Sequence, residues 1–143
     1  MTFALIALGA LPLGLGSIQN WYMQTHPYAR VPYGLIALAV LLLWGALAFL
    51  LNGHGRKTRK VMLFLHAIAA GDLLLVAIQE LIVHGYFVNS IGLWTQYFFL
   101  PLLTLGFGVT GWSAFVFPAY AASFCLLLAA AYLGCKIREK VTK

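Results

Sequence analysis

The chain has 143 residues, 63% of them hydrophobic and only 8% charged. A soluble domain carries about 25% charged residues, and a fold this small leaves too much surface exposed to hide so much apolar area. A water-soluble fold and a separate globular domain are therefore excluded, and residues 1–143 read as one all-α, polytopic integral membrane domain with the lipid bilayer as its partner. The net charge of +6 is no nucleic-acid footprint. Arg56, Lys57, Arg59 and Lys60 form one short run, Lys136, Arg138, Lys140 and Lys143 another, and Arg30 stands alone. Runs beside apolar segments mark cytoplasmic loops and contact with lipid headgroups.

Five apolar helical segments follow in order, four or five of them crossing. The first covers residues 2–18 and is expected to kink at Pro12. It lacks the basic leader of a secretory signal and is expected to be retained as a first helix. Trp21 and Tyr22 follow as an interfacial belt, within a polar loop over 19–31. The second segment, 32–51, opens on Pro32, suited to a first helical turn. It closes at Asn52-Gly53-His54-Gly55, with glycine expected as the C-cap.

The third, 61–84, is VMLFLHAIAAGDLLLVAIQELIVH. Asp72 lies about 18 Å along its axis from Lys60, near the centre of a hydrocarbon layer about 30 Å thick. A carboxyl group there costs about 2.5–3.5 kcal/mol on insertion scales, so it needs a reason. Gln79 falls about 20° from Asp72 around the helix, Glu80 about 80°, and His66 and His84 about 120°. All five share an arc of about 140°, opposite Leu63, Phe64, Leu74, Leu75, Ile78, Leu81 and Ile82, so the polar arc is expected to face the bundle. Asp72, His66 and Gln79 form the candidate intramembrane polar site. Glu80 and His84 are expected near the far interface as an exposed acid–imidazole pair at i, i+4 spacing.

The fourth segment, 91–109, is interrupted by Pro101, and the fifth, 112–135, carries Pro118 near its start. Trp94, Tyr97, Phe98, Phe99 and Trp112 are expected as interface anchors. Gly106-x-Gly108-x-x-Gly111 matches a dinucleotide motif as text only, without the strand–turn–helix context that gives it meaning. If all five segments cross, Lys and Arg divide four against five between the sides. If 91–109 is re-entrant, both basic runs share a side and the division is eight against one. The positive-inside rule favours the second arrangement, with the 56–60 loop and the C-terminal tail cytoplasmic.

No cofactor or metal is expected. His66 and His84 are about 27 Å apart on one helix and cannot share an ion. Cys125 and Cys135 are about 15 Å apart, too far for a disulfide. Cys135, at a membrane boundary, reads as an apolar filler ahead of a palmitoylation site.

Asp72 has two readings. One is a group that carries a proton or binds a cation. The other, slightly favoured, is a carboxyl hydrogen-bonded to a neighbouring helix, with Gln96, Thr104, Ser113 or Ser123 as donor, or to a partner subunit. The first function class is therefore an accessory or interaction subunit of a membrane assembly, with self-association as a variant. The alternative is a proton- or cation-linked small-molecule transporter using Asp72. A membrane enzyme ranks last, because no nucleophile–base or metal constellation occurs.

Overall fold

A computed structural model describes residues 2–53, 57–87, 89–111 and 115–141, residue 2 by its backbone alone. His54, Arg56, Trp112, Ser113 and Lys143 lie outside the described residues. Every regular element among the described residues is helical: α1 (Thr2–Gly9), α2 (Leu11–Thr25), α3 (Tyr33–Asn52), α4 (Thr58–Leu65), α5 (Ala67–Ala77) with a π-helical turn at Ile78–Ile82, α6 (Ser90–Phe99), a 3₁₀ turn at Leu100–Leu102, α7 (Leu103–Thr110) and α8 (Phe117–Val141). Four helical stretches are long and apolar enough to cross a membrane. They are Phe3–Thr25, Tyr33–Asn52, Ser90–Thr110 and Phe117–Val141; Thr58–Leu65 with Ala67–Ile82 makes a fifth, bent by 44° at His66.

The hydrogen bonds fix direction. Asn52 ends α3 and donates to the Cys135 carbonyl at 3.1 Å. Thr58 begins α4 and donates to Glu139 at 2.5 Å, and Glu139 also pairs with Lys136 at 2.7 Å. The end of α3, the start of α4 and the end of α8 thus meet at one end of the bundle. Lys57, Arg59 and Lys60 lie there beside Lys136, Arg138 and Lys140. At the opposite end, Glu80 accepts from the backbone N–H groups of Val116 and Phe117, where α8 begins.

Ser90–Thr110 is long and apolar enough to cross but is interrupted by the 3₁₀ turn at Leu100–Leu102, with Pro101 inside it. Its first half packs beside α5: Gln79 donates to Thr95 near the Glu80 end, and Phe98 lines a cleft with Asp72. Its second half packs beside α8. The Leu102 carbonyl accepts from Ser123 at 3.4 Å, and Gly106 lies against Ala119, near the start of α8. The backbone keeps right-handed helical dihedrals on both sides of the turn, so the segment is a helix broken at its middle. Phe98, Phe99, Pro101 and Leu102 at the break are all buried. Phe98 and Phe99 are thus core residues, not the interface anchors expected, whereas Trp94 is 59% exposed.

Close approaches hold the bundle together. A Cβ at Gly16 would overlap the Tyr97 carbonyl, so α2 packs directly on the backbone of α6. A Cβ at Gly134 would overlap the Gly45 carbonyl between α3 and α8. With no hydrophobic drive between helices in lipid, such small-residue contacts are what allow dense packing. Gly53 has an ordinary φ of −71°; its smallness leaves room for the Arg138 guanidinium rather than a left-handed cap.

Two boundaries move outward. The first span runs to Thr25, beyond the expected 18, because Asn20 finds a partner in the Tyr97 hydroxyl at 3.2 Å. The last runs to Val141, its basic residues favourably placed at a helix C-terminus.

Candidate functional site

The third crossing turns its polar arc inward: His66, Asp72, Gln79 and Glu80 are buried, while Leu63, Leu74, Leu81 and Ile82 are more than half exposed. The four buried groups do not form one site.

His66 sits at the bend between α4 and α5, about 9 Å along the axis from Asp72. The Trp44 indole donates to its Nε2 at 3.1 Å, and its Nδ1 lies 2.8 Å from the Met62 carbonyl. An indole N–H can only donate. Nε2 is therefore unprotonated, Nδ1 carries the hydrogen, and the ring is neutral. Nε2 thus ties the bend to α3, and Nδ1 is spent on the Met62 carbonyl of α4 itself. Trp44 drew no attention in the sequence because an isolated tryptophan in an apolar run looks like any other core residue.

Gln79 opens the π-turn region and is fully buried. Its amide donates to Thr95 at 3.3 Å and accepts from the Phe87 N–H at 2.9 Å. It ties the end of this segment to α6 and makes no bond to Asp72.

Glu80 is not an exposed partner of His84. It is 8% exposed and accepts three hydrogen bonds: from Val116 N–H at 2.7 Å, Phe117 N–H at 2.5 Å and the Tyr86 hydroxyl at 3.0 Å. A carboxylate at a helix N-terminus satisfies orphan N–H groups and complements the helix dipole. Pro118 supplies no N–H and so leaves no further orphan there. His84 takes a left-handed φ of 53° just beyond the π turn, with its side chain exposed. Partial burial and then the neighbouring Glu80 push the Tyr86 phenol up to about 12. π-turns recur at functional sites; this one rotates Glu80 toward α8.

Asp72 differs from all of these. It is 8% exposed, and its Oδ2 is buried without a hydrogen-bond partner among the described residues. The described donors considered for it are otherwise engaged or placed. Ser123 donates to the Ala119 carbonyl at 2.8 Å, Gln96 is exposed, and Thr104 lines a different cleft with Gln19. Thr95, which also lines the cleft, gives its hydrogen to the Gly92 carbonyl at 2.8 Å. Asp72 faces a cleft of about 210 Å³ lined also by Leu13, Ile68, Trp94 and Phe98. The cleft lies between α2, α5 and α6, and Ile91 and Trp94, both about half exposed, form its outer edge. Tyr120 on α8 lies within electrostatic range of Asp72, Tyr86 and Glu80.

Chemically, the site offers one carboxyl group with aromatic and aliphatic walls, and no described residue donates to its Oδ2. No group of three or more His, Cys, Asp or Glu placed to hold a metal occurs among the described residues. Comparison of the chain with protein-family models, with curated proteins and with solved structures found no match.

Proposed function

We propose that this membrane protein is an accessory or interaction subunit of a larger membrane assembly, and that Asp72 is where a transmembrane partner docks. The observation carrying this reading is the buried Oδ2 of Asp72, without a donor among the described residues, beside a laterally opening cleft. A carboxyl group left in hydrocarbon without a partner is costly. A cleft of about 210 Å³ suits one side chain from a neighbouring helix, bearing a hydroxyl, an amide or a cation. The end carrying both basic runs is the cytoplasmic one on this reading, by the positive-inside rule; a periplasmic or extracellular signal from a reporter fused after Lys143 would reject that orientation.

The test combines purification and crosslinking. A photoreactive residue at Ile91 or Trp94 is expected to give one discrete crosslinked species at fixed stoichiometry in mild detergent. The same residue at Leu133, 59% exposed on α8, is expected to give none. Asp72→Asn should weaken the complex while the chain still folds. Isolation solely as a free monomer, with no site-specific crosslink, would overturn the proposal.

A second reading, proton- or cation-linked transport, is favoured by one observation. Three polar groups, Asp72, Tyr86 and Glu80, lie within electrostatic range of Tyr120 on α8. It predicts that Asp72→Asn abolishes coupled flux in liposomes while Asp72→Glu retains it. Unchanged flux in Asp72→Asn removes this role.

A further inference from the structure

A second buried polar group lies away from Asp72. Gln19 on α2 is 8% exposed, and its Oε1 is buried without a hydrogen-bond partner among the described residues. It lines a cleft of about 490 Å³ between α2, the start of α3 and the break between α6 and α7. The hydroxyl-bearing residues Tyr33 and Thr104 line the same cleft, and Leu100, Leu103 and Phe107 supply apolar wall. No Asp, Glu, Lys, Arg or His is among these lining residues. Thr104 is exposed, so the cleft opens toward the bilayer. Gln19 is six residues from the end of α2, about 9 Å inside it, a depth a lipid-like molecule reaches with its headgroup near the interface.

We propose that this cleft binds an uncharged lipophile through a hydroxyl headgroup that donates to Gln19. The unmet acceptor calls for an O–H or N–H donor, since a buried carbonyl oxygen without one is costly. A charged ligand is disfavoured because the cleft holds no counter-charge and burying an unpaired ion costs far more. The volume falls within the range of small-molecule sites, which are mostly apolar with a few placed polar groups. Leu100, Leu103 and Phe107 pack against the ligand's body, and Tyr33 and Thr104 are placed to bond a second headgroup oxygen. The hydroxyl is either phenolic, as in a quinol, or aliphatic, as in a diacylglycerol. This site is independent of the docking assigned to Asp72.

The experiment uses the full chain in phosphatidylcholine nanodiscs. Binding of tritiated decylubiquinol, kept reduced, and of dioctanoylglycerol is compared with that of their O-methyl ethers. One of the two hydroxyl ligands is expected to saturate and to bind about tenfold more tightly than its ether, as one or two hydrogen bonds would give; which one identifies the source. Gln19→Leu should erase that preference, and Thr104→Val, at the exposed mouth, should reduce it a few-fold. The proposal is overturned if neither ligand saturates, if ether and hydroxyl bind alike, or if folded Gln19→Leu keeps the preference. Should Gln19→Leu fail to fold, an unchanged preference in Thr104→Val overturns it equally.

Discussion

Glu80 and Asp72 stand eight residues apart on one crossing, about 12 Å along its axis, and each is 8% exposed. Glu80 accepts three hydrogen bonds, two from backbone N–H groups 36 and 37 residues later, where α8 begins. Asp72 accepts none from the described residues at its buried oxygen. The two acids are chemically near-identical and equally removed from solvent, so burial alone does not distinguish a structural group from a spare one. What distinguishes them is donors. Glu80 sits where a helix starts and orphan N–H groups are plentiful. Asp72 sits at mid-helix height, where neighbouring backbones have already spent their N–H groups on themselves. Glu80 is therefore spent on the fold, and the buried oxygen of Asp72 is not.

The sharpest way to break this contrast is to remove Glu80. Glu80→Ala strips the start of α8 of its cap and leaves two half-buried N–H groups without their acceptor, a loss of about 3 kcal/mol. Thermal unfolding in detergent is expected to show a large drop in Tm, with Glu80→Gln falling between; an unchanged Tm would mean the cap contributes nothing. Asp72→Asn is expected to do the opposite. No bond made by Oδ2 is lost and a costly carboxyl disappears, so stability should stay within about 1 kcal/mol of the parent or rise. A fall as large as that of Glu80→Ala would show that Asp72 has a structural partner. The smallest effect concerns Tyr86. Its phenol is raised from 10.0 to about 12 in the folded state. A group with a raised folded-state pKa holds its stabilising contribution in full below the unfolded value and loses it as pH rises through the folded value. Stability should thus decline modestly between pH 10 and pH 12 through this residue, and Tyr86→Phe should flatten that part of the profile. An identical slope in both proteins would remove Tyr86 as its source.

Much of this architecture is legible in the residue order. Hydropathy reports the free energy of transferring a segment into lipid, and helical periodicity reports which face is polar, so the apolar segments and the inward arc of His66, Asp72, Gln79 and Glu80 follow directly. The basic runs pointed to a common side by charge counting, and the hydrogen bonds at Asn52 and Thr58 bring the helix ends that carry them to one end of the bundle. Hydropathy cannot see the break at Leu100–Leu102, because two half-helices are as apolar as a single span. Partner identity was equally hidden. Nothing local to Glu80 announces Val116, nothing local to His66 announces Trp44, and the i, i+4 spacing of Glu80 and His84 suggested a pair that the π turn and the left-handed His84 pull apart. Gln19 looked like the start of a loop because its polarity was read without its environment.

The sequence by itself determined the solvent, the helices and the depth of Asp72, since each depends on composition and on a fixed rise per residue. Only the tertiary structure decided which polar groups are answered. A hydrogen bond needs a donor within about 3 Å, and in a bundle that donor comes from a helix whose position is set by packing, by glycines such as Gly16 and Gly134 and by the buried break at Leu100–Leu102, rather than by anything written beside the acid itself.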